Sequence, residues 1–312
     1  PRPQPATGPA PGAAGAPAAP PGGPGERMTG LADRPAGAQT PGTNTGPLLA
    51  RRLPILMYHE ITNDPRLPAR LAVGPDQFDV QLGYLSDAGY TTLHAAQAAR
   101  MLRPDGPALP ARPVVLTFDD GFADFYETAV PLLCRYGLTA TLFVTTGWVA
   151  GGSQRGPGSQ DGSLTWDHLA GIAAAGIEVA AHTEHHPELD QLAPAALQRE
   201  LTGSKHLLED RLGRAVTGLS YPFGYSSRRV RAAAAEAGYE YACVVANRVA
   251  GAGDDQYGLP RLTIGQATRL PGFARTVSAG RLPPEYVRYR VLTKGWAAVR
   301  RARSVLGRGA RG

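Results

Sequence analysis

The stretch PVVLTFDDG, residues 113–121, indicates the fold class of this chain. Its first six residues form a nearly continuous apolar run, which is typical of a strand buried on both faces of a parallel sheet. Two aspartates and a glycine follow at once, where such a strand ends. Because parallel α/β proteins build their sites at the carboxyl ends of strands, the stretch predicts that Asp119 and Asp120 lie on a functional rim.

Strand-like and helix-like segments alternate on both sides of this stretch. Repeated strand–helix units form parallel sheets with right-handed crossovers. About seven such units in roughly 210 residues favour a closed barrel over an open sheet, so the predicted fold class is an α/β barrel of about seven parallel strands. Strands are predicted at 53–59, 91–94, 113–118, 139–145, 177–181, 216–221, 239–245 and 259–264, and helices at 76–88, 122–136, 165–175, 194–212 and 227–237.

The two ends of the chain differ in composition from this alternating region. Residues 1–50 hold 12 Pro and 10 Gly, which predicts a disordered segment. Residues 281–312 carry nine basic residues and one acid, a net charge of +8, so the rest of the chain is nearly neutral. The predicted organisation is therefore a disordered segment at 1–50, a folded domain at 51–280 and a basic tail at 281–312.

The basic tail allows two interpretations. Apolar residues recur between basic ones over 286–306, which predicts an amphipathic helix. The preferred interpretation is a tail that solubilises the chain, or whose helix packs on the barrel, and the alternative is a tail that lies on an anionic membrane or cell-wall polymer. A nucleic-acid-binding domain carries basic residues across its folded body, so the neutral body argues against nucleic acid as a partner. No run of 18 apolar residues is present, which argues against a membrane-spanning helix.

Histidines cluster directly after the strand predicted at 177–181, in the segment HTEHHP, residues 182–187. Three of the chain's seven histidines lie there. His182 and His186 are four residues apart, and on a helical turn that spacing places both imidazoles on one face, where they suit a divalent metal. The alternative for this segment is a solvated or structurally hydrogen-bonded histidine cluster. The alternative for Asp-Asp-Gly at 119–121, taken alone, is an ordinary turn that caps the following helix.

The two polar segments together predict a catalytic metal site. Two histidines and one aspartate give three ligands and leave positions open for water and substrate. The remaining carboxylate is then the candidate base that activates water, and strand alternation predicts that Asp119 and Asp120 point in opposite directions. A third segment, SYPFGY at 220–225, follows another predicted strand. Its rigid loop either presents a backbone N–H as an oxyanion donor or is an ordinary aromatic turn.

The segments TFDDG, HTEHHP and SYPFG, in this order, resemble the motifs of the polysaccharide deacetylases, carbohydrate esterase family four, with the nodulation-type deacetylase domain. The opening LPILMYHEI is similar to the start of one branch of that family, and the resemblance covers about residues 52–265. It implies a distorted (β/α) barrel that removes acetyl groups from N-acetylated sugars with a divalent metal, usually zinc. By this resemblance Asp119 is the general base, Asp120, His182 and His186 bind the metal, and the backbone N–H of Phe223 helps to hold the oxyanion.

Four more residues are assigned from their place in these motifs. Thr183, beside a metal ligand, is expected to contribute supporting hydrogen bonds. Tyr221, Pro222 and Tyr225, in the third motif, are expected to contact the substrate, an N-acetylated poly- or oligosaccharide.

The chain departs from the family pattern in three places. Ser220 occupies the position of the arginine that usually steadies the base, the fourth motif has no match, and no histidine follows His206 to supply the usual acid. We expect two replacements. His59 ends the first strand, which neighbours the last strand in a closed barrel, and would act as general acid, whereas Arg261 would pair with Asp119 and keep it ionised. The alternative for His59 is a core or rim histidine bonded to a carbonyl, and the alternative for Arg261 is a surface ion pair.

The sequence therefore predicts a metal-dependent hydrolase that removes N-acetyl groups from amino sugars in a poly- or oligosaccharide. The alternatives are a deacetylase of a small glycoside, lipid-linked sugar or natural product intermediate, an impaired carbohydrate-binding member, and a metallohydrolase of another amide or ester. The compartment stays open. Residues 1–50 suit a flexible tether between an export signal and the folded domain. They equally suit a translation start assigned too far upstream, with Met28 as the true start. The tether interpretation favours an extracellular or cell-envelope location.

Overall fold

The computed structural model describes residues 51–150, 162–280 and 282–290. The strands are β1 (Arg52–Leu53), β2 (Ile55–Tyr58), β3 (Glu60–Ile61), β4 (Ala72–Val73), β5 (Thr91–Leu93), β6 (Pro113–Phe118), β7 (Thr141–Val144), β8 (Glu178–Ala181), β9 (Gly218–Ser220), β10 (Tyr241–Val245), β11 (Ala250–Gly251) and β12 (Leu259–Thr263). The α-helices are α1 (Pro75–Asp87), α2 (Ala95–Leu102), α3 (Val130–Arg135), α4 (Trp166–Ala174), α5 (Pro194–Leu212), α6 (Arg228–Glu236) and α7 (Leu270–Val277).

Seven parallel strands form a closed barrel. Their order around the ring is β2, β12, β10, β9, β8, β7 and β6, and β6 pairs with β2 to close it. Leu262 of β12 lies opposite Leu56 of β2, so the first and last strands meet as expected. Strand β5 stands outside the ring and pairs with the amino-terminal half of β6. The predicted (β/α) barrel of about seven parallel strands is therefore confirmed.

Two predicted elements differ from the observed ones, and one observed helix was not predicted. Pro54 interrupts the strand expected at 53–59, because proline has no N–H to donate, and the short β1 before it pairs antiparallel with β11. The helix expected at 122–136 begins as a π-helical turn, Phe125–Ala129, and continues as α3. Helix α2 was not predicted, since three of the four side chains that it buries are alanines and give little apolar periodicity.

Alternate residues of the ring strands serve two cores. One set, including Ile55, Val115, Phe143 and Cys243, packs together inside the barrel. Because side chains alternate along a strand, the residues between them pack outwards against the helices. Towards the carboxyl ends of the strands the interior becomes polar, and Arg261 is buried there. The apolar lower barrel thus supports a polar upper rim.

The described start of the basic tail packs on the barrel. Residues 284–290 are helical, Tyr286 is buried, and its hydroxyl donates to the carbonyl of Thr263 over 3.0 Å. The rest of the tail and residues 1–50 lie outside the described residues, so contact with an anionic surface and disorder of 1–50 stay predictions. Within the described ranges, no helix combines the length and the hydropathy that crossing a membrane requires.

Candidate metal centre

Asp120, His182 and His186 meet at the carboxyl end of the barrel, as predicted. Asp120 follows β6, and both histidines follow β8. The Oδ1 atom of Asp120 lies 3.4 Å from Nε2 of His182 and 3.5 Å from Nε2 of His186. One ligand atom from each of the three residues lies within 4.8 Å of the other two.

The three side chains fit a divalent metal. Among the described residues, Asp120 Oδ1 is a buried acceptor with no hydrogen-bond partner, which is costly unless a cation compensates it. Donor atoms bound tetrahedrally to one zinc ion lie about 3.3 Å from one another, since each sits about 2.0–2.1 Å from the metal. The two Asp120–imidazole separations are close to that value. Two imidazoles and one carboxylate are also the donor set of catalytic zinc sites.

The two imidazoles differ in their electrostatic surroundings and in their pKa values. Burial, together with the neighbouring His182, lowers the pKa of His186 to about 4, so its ring is neutral near pH 7. Burial also acts to lower the pKa of His182, but the carboxylates of Asp119 and Asp120 outweigh it and raise that pKa. Nδ1 of His182 lies 2.7 Å from the carbonyl of Ser220. Because a carbonyl only accepts, Nδ1 carries the proton and Nε2 faces the other ligands.

The segment 182–186 is a tight loop and not a helical turn. Thr183 and His186 both adopt left-handed backbone conformations, with φ of 68° and 58°. Thr183 supports the loop, because its Oγ1 accepts from the backbone N–H of His186 over 3.0 Å and its carbonyl accepts from that of Thr146 over 3.1 Å. The reversal of the chain, and not a helical period, returns His186 to the side of His182.

Arg261 holds the second carboxylate of the site. Its Nη1 donates to Asp119 Oδ1 over 2.6 Å and its Nη2 donates to Oδ2 over 2.7 Å. Both side chains are buried, so the pair is not a surface ion pair. Burial alone would raise the pKa of Asp119, but Arg261 and then His182 outweigh it and hold the pKa well below its usual range. Asp119 is therefore an ionised carboxylate beside the candidate metal ligands.

Ser220 and Thr117 complete the surroundings of the guanidinium, and neither contact was predicted. Arg261 Nη2 donates to Ser220 Oγ over 2.8 Å, and Nη1 donates to Thr117 Oγ1 over 3.2 Å. The small side chain of Ser220, at the position of the family's usual arginine, leaves room for a guanidinium that arrives from β12. Thr117 lies two residues before Asp119, and residues two apart along a strand face the same side. This spacing could have predicted that Thr117 lies beside the partner of Asp119.

The two aspartates do not diverge, so the expectation from strand alternation is wrong. Strand β6 ends at Phe118, and Asp120 and Gly121 have φ of 77° and 92°. This turn brings Asp120 back to the same imidazole as its neighbour. Nε2 of His182 lies 3.4 Å from Asp120 Oδ1 and 4.0 Å from Asp119 Oδ2.

His59 lies at the same rim, directly after β2. It is half-buried, and its Nδ1 is a buried atom without a hydrogen-bond partner among the described residues. Burial lowers the pKa of His59, and the carboxylates of Asp120 and Asp119 act in the opposite direction. The ring is therefore near the charged groups of the site, and its Nδ1 is not the carbonyl-bonded atom of the alternative interpretation.

The third motif separates into an exposed and a buried part. The Phe223 side chain is 51% exposed, with its ring 4.7 Å from that of His186 and 5.8 Å from that of Tyr225. Tyr221, in contrast, has no exposed surface, and its hydroxyl donates to the carbonyl of Tyr257 over 3.1 Å. The substrate contact expected of Tyr221 is wrong for this reason. Pro222 is buried as well and begins the turn that carries Phe223.

Fold and site together define a (β/α) barrel with a candidate catalytic metal centre, and comparison with known proteins gives its family. Residues 106–242 match the family model for polysaccharide deacetylase. YxkH of Bacillus subtilis (strain 168), assigned to the polysaccharide deacetylases, is 33% identical over 215 residues, which span 68% of this chain and 71% of YxkH. The chain therefore belongs to the polysaccharide deacetylase family.

Two further relatives are informative. The structure of the Streptococcus pyogenes deacetylase PplD, in complex with acetate, superposes with a TM-score of 0.65 at 30% sequence identity. The match covers 72% of this chain and 98% of PplD. The poly-β-1,6-N-acetyl-D-glucosamine N-deacetylase of Escherichia coli (strain K12) is 26% identical over 135 residues, 41% of this chain but only 20% of that protein.

Proposed function

We propose that this protein is a metal-dependent hydrolase that removes N-acetyl groups from amino sugars in a poly- or oligosaccharide. The observation that carries the proposal is the meeting of Asp120, His182 and His186 beside an ionised carboxylate, Asp119. Membership of the polysaccharide deacetylase family supports the reaction class. The activity in the name of the Escherichia coli relative supports an N-acetylglucosamine polymer as substrate.

Asp120, His182 and His186 would hold the divalent metal, and zinc is the ion that this donor set favours. Such a metal would lower the pKa of a bound water to about 7 and would polarise the acetyl carbonyl. Asp119 accepts the proton of the attacking water. A carboxylate has about four acceptor sites, and Arg261 uses one on each oxygen, so capacity is left for that proton.

Two residues serve the later stages of the reaction in this proposal. The backbone N–H of Phe223, a residue whose ring contacts that of His186, donates to the oxygen of the acetyl group as negative charge develops there. His59, whose Nδ1 has no hydrogen-bond partner among the described residues, protonates the departing amine. The carboxylates of Asp120 and Asp119 favour the charged ring that this role needs, against the burial that lowers its pKa. Phe223 and Tyr225 also present an aromatic edge on which a sugar ring can pack.

Release of acetate tests the proposed function. The purified protein, stripped of metal and then supplied with zinc, should release acetate from chitin oligosaccharides or poly-N-acetylglucosamine. Asp119→Asn should bind zinc and lose this activity, whereas His182→Ala should lose both. Full activity in Asp119→Asn would contradict the assigned base. Sugar binding with no acetate release by the wild type would instead identify an impaired carbohydrate-binding protein.

A second substrate isolates the role of His59. Loss of a general acid costs about 10²–10⁴-fold in rate when the leaving group is a poor one. His59→Gln should therefore lose activity on N-acetylglucosamine oligomers by a factor in that range. It should keep most of its activity on p-nitrophenyl acetate, because nitrophenolate leaves without a proton. Equal losses on both substrates would contradict proton donation to the leaving group.

A further inference from the structure

Glu200, on helix α5, lies against the loop that presents the metal-binding histidines. Its Oε2 accepts from the backbone N–H groups of Glu184 and His185, over 3.1 and 2.9 Å. Its Oε1 lies 2.8 Å from Nδ1 of His185, which donates because a carboxylate only accepts. One carboxylate thus takes three hydrogen bonds from two consecutive residues in the middle of the loop.

The loop needs such support because its backbone is strained at both ends. Thr183 and His186 flank the two residues that Glu200 holds, and both have left-handed φ angles that side chains with a Cβ disfavour. On the opposite side, the N–H of Gly147 donates to the carbonyl of Glu184 over 2.7 Å. The loop is therefore clamped between the turn after β7 and the carboxylate of Glu200.

We infer that Glu200 is a positioning residue for the metal centre. It does not reach the ligand atoms itself; it fixes the two peptide groups that set where His186 lies. Without it, the left-handed conformations can relax, and Nε2 of His186 moves away from Asp120 Oδ1, 3.5 Å distant in the folded protein. The inference rests on the proposed metal-dependent function, since it assigns Glu200 to the geometry of that site.

The same helix carries a matched control. Glu209, also on α5, has an Oε1 that accepts from the backbone N–H of Val216 over 3.0 Å and from Lys205 Nζ over 2.6 Å. It ties α5 to the segment before β9, away from the metal ligands. Glu200 and Glu209 thus make the same kind of helix-to-loop contact, and only the first one touches the metal-binding loop.

Metal titration of the metal-free full-length protein tests the inference. Removing a residue that orients metal ligands typically weakens binding about 10–100-fold, and Glu200→Ala should lose zinc affinity in that range by calorimetry. Its cobalt(II) complex should show an altered d–d absorption spectrum. Glu209→Ala should bind zinc like the wild type. Both alanine variants lose stability, so a lower melting temperature by itself does not support the inference.

Glu200→Gln covers the case in which Glu200→Ala does not fold. The amide oxygen can still accept from both backbone N–H groups, but it is a weaker acceptor than a carboxylate, and the NH₂ can donate to Nδ1 of His185 only if that ring changes tautomer. Zinc affinity should therefore fall, by less than the roughly 10–100-fold expected of Glu200→Ala. Zinc affinity and a cobalt spectrum equal to those of the wild type, in whichever Glu200 variant folds, would overturn the inference and leave the proposed function intact. A wild-type protein that binds neither metal would overturn the proposed function instead.

Discussion

Arg261 and Asp119 form a bidentate ion pair inside the barrel, although they come from strands that do not pair with each other. Asp119 follows β6 and Arg261 lies on β12, and β2 stands between these strands in the ring. The guanidinium has no exposed surface, and its two contacts to the carboxylate measure 2.6 and 2.7 Å. A buried pair of this kind fixes geometry more than it adds stability, because both charges lose their water.

Arg261→Met should damage both folding and activity. The variant leaves the Asp119 carboxylate buried without its main compensating charge, which costs about 3–5 kcal/mol in the free energy of unfolding. Because the pKa of Asp119 then rises, the carboxyl takes up a proton and no longer serves as a base. Urea unfolding and acetate release measure the two effects.

The double variant Arg261→Met with Asp119→Asn is the control. It removes the uncompensated charge, so it should recover most of the lost stability and none of the activity. Arg261→Lys keeps the positive charge but cannot make two parallel hydrogen bonds. Its stability and activity should therefore lie between those of the wild type and those of Arg261→Met. A single Arg261→Met variant as stable and active as the wild type would show that the pair has neither role.

The elements predicted correctly are those in which one physical signal dominates. Strands β6 and β7 are apolar on both faces and read as continuous apolar runs, and the polar residues after β6 and β8 mark the rim. The meeting of His182 and His186 could be predicted because they cluster where a strand ends. Helix α2 escaped prediction because alanine is a weak apolar signal.

The conformations of the site loops could not be predicted. Left-handed φ angles at Asp120, Thr183 and His186 are imposed by tertiary contacts, and local propensity gives no sign of them. The burial of Tyr221 follows from strand alternation. Ser220 faces the barrel interior, and strand alternation turns the next side chain outwards to the helices.

Gly224 should tolerate alanine far less than Gly213 does, although both have positive φ. A Cβ at Gly224 would lie 2.5 Å from Cβ of Val245 and 2.6 Å from its backbone N, whereas nothing lies within 4 Å at Gly213. Both substitutions carry the left-handed penalty of about 1–2 kcal/mol. Gly224→Ala should cost about 1–3 kcal/mol more, the usual penalty of overpacking. Urea unfolding of the two variants compares their stabilities, and equal losses would show that the loop between β9 and α6 moves freely enough to accept the added Cβ.

Phe223→Gly should separate substrate binding from stability. The phenylalanine has a left-handed φ of 59°, which glycine adopts without strain, and its ring is half-exposed. The gain from relieved strain and the loss of ring contacts are each about 1 kcal/mol, so the free energy of unfolding should change little. The backbone N–H is retained. KM for oligosaccharides should therefore rise with kcat nearly unchanged, the pattern expected when a uniform binding contact is lost. A fall in kcat at constant KM would place the ring in the chemical step.

Zinc should stabilise the folded protein in a way that distinguishes the two neighbouring aspartates. A ligand that binds only the folded state at 100 times its Kd adds about 2.7 kcal/mol to the free energy of unfolding. Asp120 supplies the orphaned oxygen between the two imidazoles, whereas Asp119 is held by Arg261. Asp120→Asn should therefore lose the zinc-dependent rise in melting temperature, and Asp119→Asn should keep it. Calorimetric scans with zinc and with a chelator measure this difference. A zinc shift that survives Asp120→Asn and disappears in Asp119→Asn would exchange the roles of ligand and base.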